Sequence, residues 1–85
     1  MLTELSDSSK VVGVKQAMKA INDGAAIRAY IANGIDEDIK IPFVKLCNKK
    51  NVPMVMVSGK KELGKACNIE VPASVAVIVA LEYEK

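Results

Sequence analysis

The chain has 85 residues, 51% of them hydrophobic and 26% charged, with a net charge of +2 and a pI near 8.6. That length suits one small domain burying about 60–65% of its unfolded surface, in a composition far from the disordered range. The lack of histidine and of any Cys-x-x-Cys pair excludes the usual zinc-finger ligand sets, and so mild a basic excess is weak ground for a polyanionic partner.

In chain order, residues 1–10 offer Leu2 and Leu5 as the apolar anchors of at most a short, fraying helix. Val11-Val12 reads as a brief strand before Gly13, and Val14, Ala17, Met18 and Ile21 then recur at helical spacing up to about Asp23. Gly24 suits a left-handed stop. From Ala25 or Ala26 to Ala32, Ile27, Ala29 and Ile31 alternate with Arg28 and Tyr30, the pattern of a strand with one better-covered face. Gly34 and the acids Asp36, Glu37 and Asp38 make a turn, whose negative charge suits the start of the next helix better than a cation site.

Ile39, Phe43, Val44, Leu46 and Cys47 form the next helical stripe, and Pro42 predicts that the regular helix begins near Ile41 or Pro42, with any earlier turn separate or bent. After Asn51 as terminator, Val52–Val57 is a continuous apolar run that predicts a strand buried on both faces. Ser58 or Gly59 caps a short helix, Lys60–Cys67, which Asn68 can end in the left-handed conformation. A loop, Ile69–Ala73, leads to Val75–Leu81, a second apolar run and buried strand; Glu82–Lys85 is tail. Helices alternating with apolar strands predict an α/β domain with a sheet of about four strands between helical layers.

Charge is segregated along the chain. Six lysines and one acid, Glu62, fall between Lys45 and Lys65, while the acids concentrate at Asp36–Asp38 and in the tail. Cys47 and Cys67 each complete a helical stripe, which reads as buried structural thiols in a reducing compartment. The start of the chain lacks the pattern of a signal peptide, and Val71–Leu81 is too short to span a bilayer, so a cytoplasmic protein without membrane contact is expected. No histidine, phosphate loop, nucleophile elbow or paired carboxylate assembles a catalytic team.

Two stretches remain for binding. On the first long helix, Lys15, Gln16 and Lys19 share the face opposite the apolar stripe, beside a glycine-led N-terminus that favours anions. Such a face is either plainly solvated or able to read RNA through two cations and an amide. In the loop, Ile69 and Val71 flank Glu70 before a proline, and either tuck under the loop or form a small apolar patch. Lys60, Lys61 and Lys65 stand nearby in sequence for phosphates.

The string Gly13-Val-Lys-Gln-Ala-Met-Lys-Ala, then Leu46-Cys47 with Asn51-Val52-Pro53, then Lys61-Glu-Leu-Gly-Lys-Ala-Cys67 with Ile69-Glu70-Val71-Pro72-Ala73, resembles the ribosomal-protein L-seven-Ae family of kink-turn RNA binders. The resemblance runs from Gly13 to about Leu81 and is strongest to the bacterial branch of small YbxF- and YlxQ-type proteins. It implies a three-layer α-β-α sandwich with a central mixed sheet. It also implies a cofactor-free, non-enzymatic partner of structured RNA containing a kink-turn, in ribosomal RNA or a messenger leader. Members dock the start of the first long helix against tandem sheared G·A pairs and cover a protruding base with the loop before the last strand. Carried over by position, Lys15 and Gln16 make the base contacts, Lys19 a base or phosphate contact, and Gly13 the close backbone approach. Ile69, Glu70 and Val71 form the loop platform.

Departures from the family pattern fall on these same positions. Archaeal members commonly have Asn-Glu in place of Lys15-Gln16, so the contact chemistry must differ: Glu accepts from a guanine amino edge, whereas Lys and Gln donate to O6 and N7. Some eukaryotic members carry arginine in place of Val71, and Asn68 replaces a common glycine. The acidic motif after the second strand reads Asn33-Gly34-Ile35-Asp36. The rival expectation is a protein-interaction module that keeps the fold and has lost RNA binding. A monomer is the default for one core with a mixed surface.

Overall fold

The computed structural model describes residues 9–80. The short helix expected in the first ten residues and the tail from Glu82 lie almost wholly outside them. The described chain forms β1 (Lys10–Val12), α1 (Val14–Asn22), β2 (Ala26–Ala32), α2 (Glu37–Lys49), β3 (Met54–Val57), α3 (Lys60–Ala66) and β4 (Val75–Val79).

The strands form one mixed sheet in the order β1-β4-β2-β3. The last strand inserts between the first two, antiparallel to both, with Val11 opposite Val77 and Tyr30 opposite Ala76. β2 and β3 run parallel, with Ile31 opposite Met56, and α2 makes the crossover that a parallel pair requires. α1 packs on α2, β1 and β4, while α3 packs on β2, β3 and β4, giving a three-layer α-β-α sandwich. β4 has a neighbour on each side and a helix layer over each face, and all five of its residues are buried. Around it Ile21, Tyr30, Phe43 and Leu63 lose essentially all solvent contact. Full burial of an aliphatic or phenylalanine side chain is worth roughly 1.5–3 kcal/mol.

Three local expectations give way in the structure. Alternation along β2 suggested one covered face, yet Ala29, Tyr30, Ile31 and Ala32 are all buried while Ile27 is exposed. The C-terminal half of β2 lies between β4 and β3 and packs against α3, whereas its first residues precede the pairing with β3. The apolar run Val52–Val57 suggested a doubly buried strand, but β3 is an edge strand: Met56 is exposed and only Val57 is buried. Finally, α2 starts at Glu37, not near Pro42. The Ile39 and Lys40 amides already donate to the Asp36 carbonyl, and Glu37 and Asp38 supply negative charge to the first turn. Pro42 removes one N–H that would serve the Asp38 carbonyl, but both residues are solvent-exposed, so water can replace it.

Candidate nucleic-acid interface

Because β1, β2 and β3 all finish where β4 begins, four connections meet at one end of the sheet. The Gly13 amide donates to the Val75 carbonyl at 3.2 Å, the Ala32 amide to Ser74 at 2.9 Å and the Asn33 amide to Val57 at 2.8 Å. The start of α1, the Asn33–Gly34 turn, the entry to α3 and the loop before β4 are therefore neighbours, although 61 residues lie between Gly13 and Val75 in sequence.

At the first of these, Gly13 adopts φ 110° and ψ 147°, a backbone region closed to residues with a Cβ. That conformation turns the chain from β1 directly into α1. The first helical bond runs from the Ala17 amide to the Gly13 carbonyl at 2.9 Å, which leaves the Val14, Lys15 and Gln16 amides without intrahelical acceptors. No side chain caps them and no acid stands in the first turn. Ala17, Ala20 and Ile21 bury the opposite face, so Lys15, Gln16 and Lys19 point to solvent. Gln16 turns back over Gly13, its Oε1 3.7 Å from the place a Cβ would take there. Lys19 is held at 3.1 Å by the carboxylate of Asp23, an exposed pair one turn apart that is worth little in water.

The loop resolves its two alternatives in favour of an exposed patch. The Ile69 amide donates to the Gly64 carbonyl at 3.1 Å and the Ala73 amide to Lys60 at 3.0 Å, so both feet of the loop are fastened to α3. Between them Glu70, Val71 and Pro72 project into solvent, with Val71 62% exposed and Ile69 half-buried at the base. Asn68 at φ 63° reverses the chain out of α3, the left-handed stop its position suggested. Lys61 and Lys65 border the same patch.

Gly64 is the residue that sequence reasoning passed over. It sits in the middle of α3 and is buried, and a Cβ there would collide with the Val71 carbonyl oxygen, with the Val71 carbonyl carbon at 3.2 Å and Pro72 Cα at 3.3 Å. A glycine inside so short a helix, where alanine would be favoured, was the available signal of a close backbone approach. The cysteines belong to the core. Both thiols are buried, and desolvation pushes Cys47 up to about 11 and Cys67 in the same direction, against a smaller opposing effect of the Lys10 charge on Cys67.

Among the described residues no helix is long and apolar enough to cross a membrane. The arrangement at the sheet end can hold an anion on the α1 amides, donate hydrogen bonds from Lys15 and Gln16, and cover a flat apolar group with the loop.

Comparison with known proteins finds relatives of the same size. The chain is 35% identical to an RNA-binding protein of Geobacillus sp. (strain WCH70) over 75 residues, which cover 88% of this chain and 92% of that one. It is 36% identical to the RNA-binding protein YbxF of Geobacillus stearothermophilus over 69 residues, 81% of this chain and 84% of the relative. Among solved structures, the Giardia lamblia 15.5kD RNA binding protein superposes with a TM-score of 0.86 at 31% identity, covering 96% of this chain and 72% of that one. The family model described as Ribosomal protein L7Ae/L30e/S12e/Gadd45 family matches residues 3–85. A match of that extent means that the chain belongs to the ribosomal protein L7Ae/L30e/S12e/Gadd45 family.

Proposed function

We propose that this protein is a non-enzymatic RNA-binding protein that docks the N-terminus of α1 into the widened groove at the tandem G·A pairs of a kink-turn and so stabilises the bent RNA. The observation that carries the reading is the coincidence, at one end of the sheet, of three uncapped α1 amides, the exposed Lys15 and Gln16 side chains, and the exposed loop tip. The curated relatives bear the name RNA-binding protein. A regular A-form major groove is too deep and narrow for a helix, so a helix end meets guanine O6 and N7 only where the duplex is kinked open. Recognition of shape therefore comes before reading of bases.

In this reading Lys15 and Gln16 donate to guanine edges, and Gly13 lets the backbone approach where a side chain would intervene. Lys19 exchanges its weak pairing with Asp23 for a phosphate or base, and Ile69, Glu70 and Val71 cover a protruding base. Moving an RNA from about 1% to about 99% kinked takes roughly 5.5 kcal/mol of differential binding. Two good base contacts supply roughly 2–6 kcal/mol, so they come close to sufficing, and salt-dependent lysine–phosphate contacts complete the difference. The protein acts as a monomeric, cytoplasmic clamp of the bacterial ribosome-associated type, on ribosomal RNA or a messenger leader.

Binding of Lys15→Ala and Gln16→Ala to a kink-turn hairpin tests the assignment. Both side chains are exposed, so each variant should melt with the parent protein yet lose roughly 5- to 150-fold in affinity. Unchanged affinity in both variants would refute the role of α1.

A further inference from the structure

β3 closes the sheet on one side, and its outer backbone stands open. The Ala29 amide donates to the Pro53 carbonyl at 2.8 Å and the Asn33 amide to the Val57 carbonyl at 2.8 Å, so in this parallel ladder Pro53, Val55 and Val57 turn their polar groups towards β2. The amides and carbonyls of Met54 and Met56, at the alternate positions, therefore point away from the sheet. None of them has a partner among the described residues. Proteins usually blunt such an edge with a charge, a proline or a bulge. β1, at the other edge, carries Lys10, whereas Met54–Val57 contains neither charge nor proline and keeps continuous register with β2. Met56, 54% exposed, adds an adaptable apolar side chain to the same rim.

This edge lies in the most basic part of the chain. From Ile39 to Lys61 there are six lysines and no acid. Lys49 and Lys50 lead towards the strand and Lys60 and Lys61 follow it, all exposed and without an ion pair among the described residues. Both ends of the open edge are thus positive. An open ladder asks for alternating donors and acceptors at the two-residue repeat of a strand, which a peptide backbone supplies. The phosphates of RNA would suit the lysines, but their oxygens only accept, so the Met54 and Met56 carbonyls would stay unpaired. A second copy of this chain has a backbone to offer, yet antiparallel pairing of β3 with itself sets the Lys50 end of one copy against the Lys60 end of the other, and like charges oppose it. We propose that the outer edge of β3 binds an extended segment of another protein as an added strand, its backbone paired with Met54 and Met56, its alternate apolar side chains covering Met56, and acidic residues at its ends meeting Lys49, Lys50, Lys60 and Lys61. The site does not depend on the RNA reading, because α1 packs over β1 and β4, on the other side of the sheet.

The test titrates the full chain with the peptide Asp-Glu-Val-Thr-Val-Thr-Val-Glu-Asp, and with a counterpart that has lysine at each acidic position, while amide exchange is followed by NMR. In the unbound protein the Met54 and Met56 amides should exchange faster than those of Val55 and Val57. With the acidic peptide at about 100 times its Kd, exchange at Met54 and Met56 should slow by up to about 100-fold, and the basic peptide should leave it unchanged. K50Q/K60Q removes two exposed charges and leaves the core intact, and should weaken the acidic peptide by roughly 2- to 30-fold. Failure of the acidic peptide to bind, binding without protection of Met54 and Met56, or equal binding of the basic peptide would overturn the inference. Protection of the two amides that grows with protein concentration alone would overturn it in favour of a second copy.

Discussion

Gly64→Ala isolates the contact that shapes the loop, because helix propensity and packing predict opposite signs. In an ordinary helix interior the exchange stabilises by about 0.8–1.0 kcal/mol. In α3 the added methyl would meet the carbonyl of Val71, with two further backbone atoms at 3.2 and 3.3 Å, and no side-chain rotation can relieve a clash between two backbones. Overpacking of this kind costs roughly 1–3 kcal/mol and here also displaces a loop whose feet hydrogen-bond to the Gly64 and Lys60 carbonyls. The balance is a net loss of up to about 2 kcal/mol, hence a fall in Tm of up to roughly 16 °C for a domain of this size. Thermal unfolding followed by circular dichroism measures it directly, and affinity for a kink-turn RNA should fall with the shift of Val71. A variant that melts several degrees above the parent would show that propensity wins and that the loop does not need glycine beneath it.

Two further outcomes follow from the same geometry. Gly13→Ala meets no close neighbour, since the nearest atom to the new Cβ is 3.7 Å away, so its cost is purely conformational. Holding alanine at φ 110° should cost about 1–3 kcal/mol in chemical denaturation and weaken RNA binding by tilting the start of α1; a variant as stable as the parent would contradict it. Burial raises the Cys47 thiol from its ordinary value near 9 to about 11, so the folded state holds its proton more tightly than the unfolded state. That contribution to stability is complete below pH 9 and is lost as pH rises through about 11. Cys47→Ala should therefore flatten the alkaline decline in stability, and the native thiols should resist alkylation at pH 8; rapid alkylation without unfolding would refute their burial.

Local pattern predicts β4 and α1 for different reasons. β4 is a run of small and β-branched apolar residues, and its central place in the sheet makes every one of them buried. α1 was readable because a 3.6-residue stripe needs only one partner layer, and Ala17, Ala20 and Ile21 do face the sheet. β3 looked equally buried, but an apolar run does not reveal that its strand stands at the edge, which follows from β4 inserting between β1 and β2. The same insertion brings Val75 to Gly13 and Ser74 to Ala32, so the meeting of the α1 start with the loop before β4 is a consequence of topology that no local spacing encodes. Pro42 misled because its damage is confined to one carbonyl on an exposed turn. Lys15 and Gln16 were visible as surface chemistry, whereas the sequence left the loop either tucked under or exposed; Gly64 was visible only as a rule broken without a reason until Val71 supplied one.

The most direct test of the clamp is to measure binding of the protein to a labelled kink-turn hairpin and to the same hairpin with its tandem G·A pairs replaced by Watson–Crick pairs, each at two salt concentrations. Tight binding to the first RNA alone, weakening as salt rises, is the result this account predicts. Equal binding to both, or binding to neither, would contradict it and point to a family fold that works through protein partners instead.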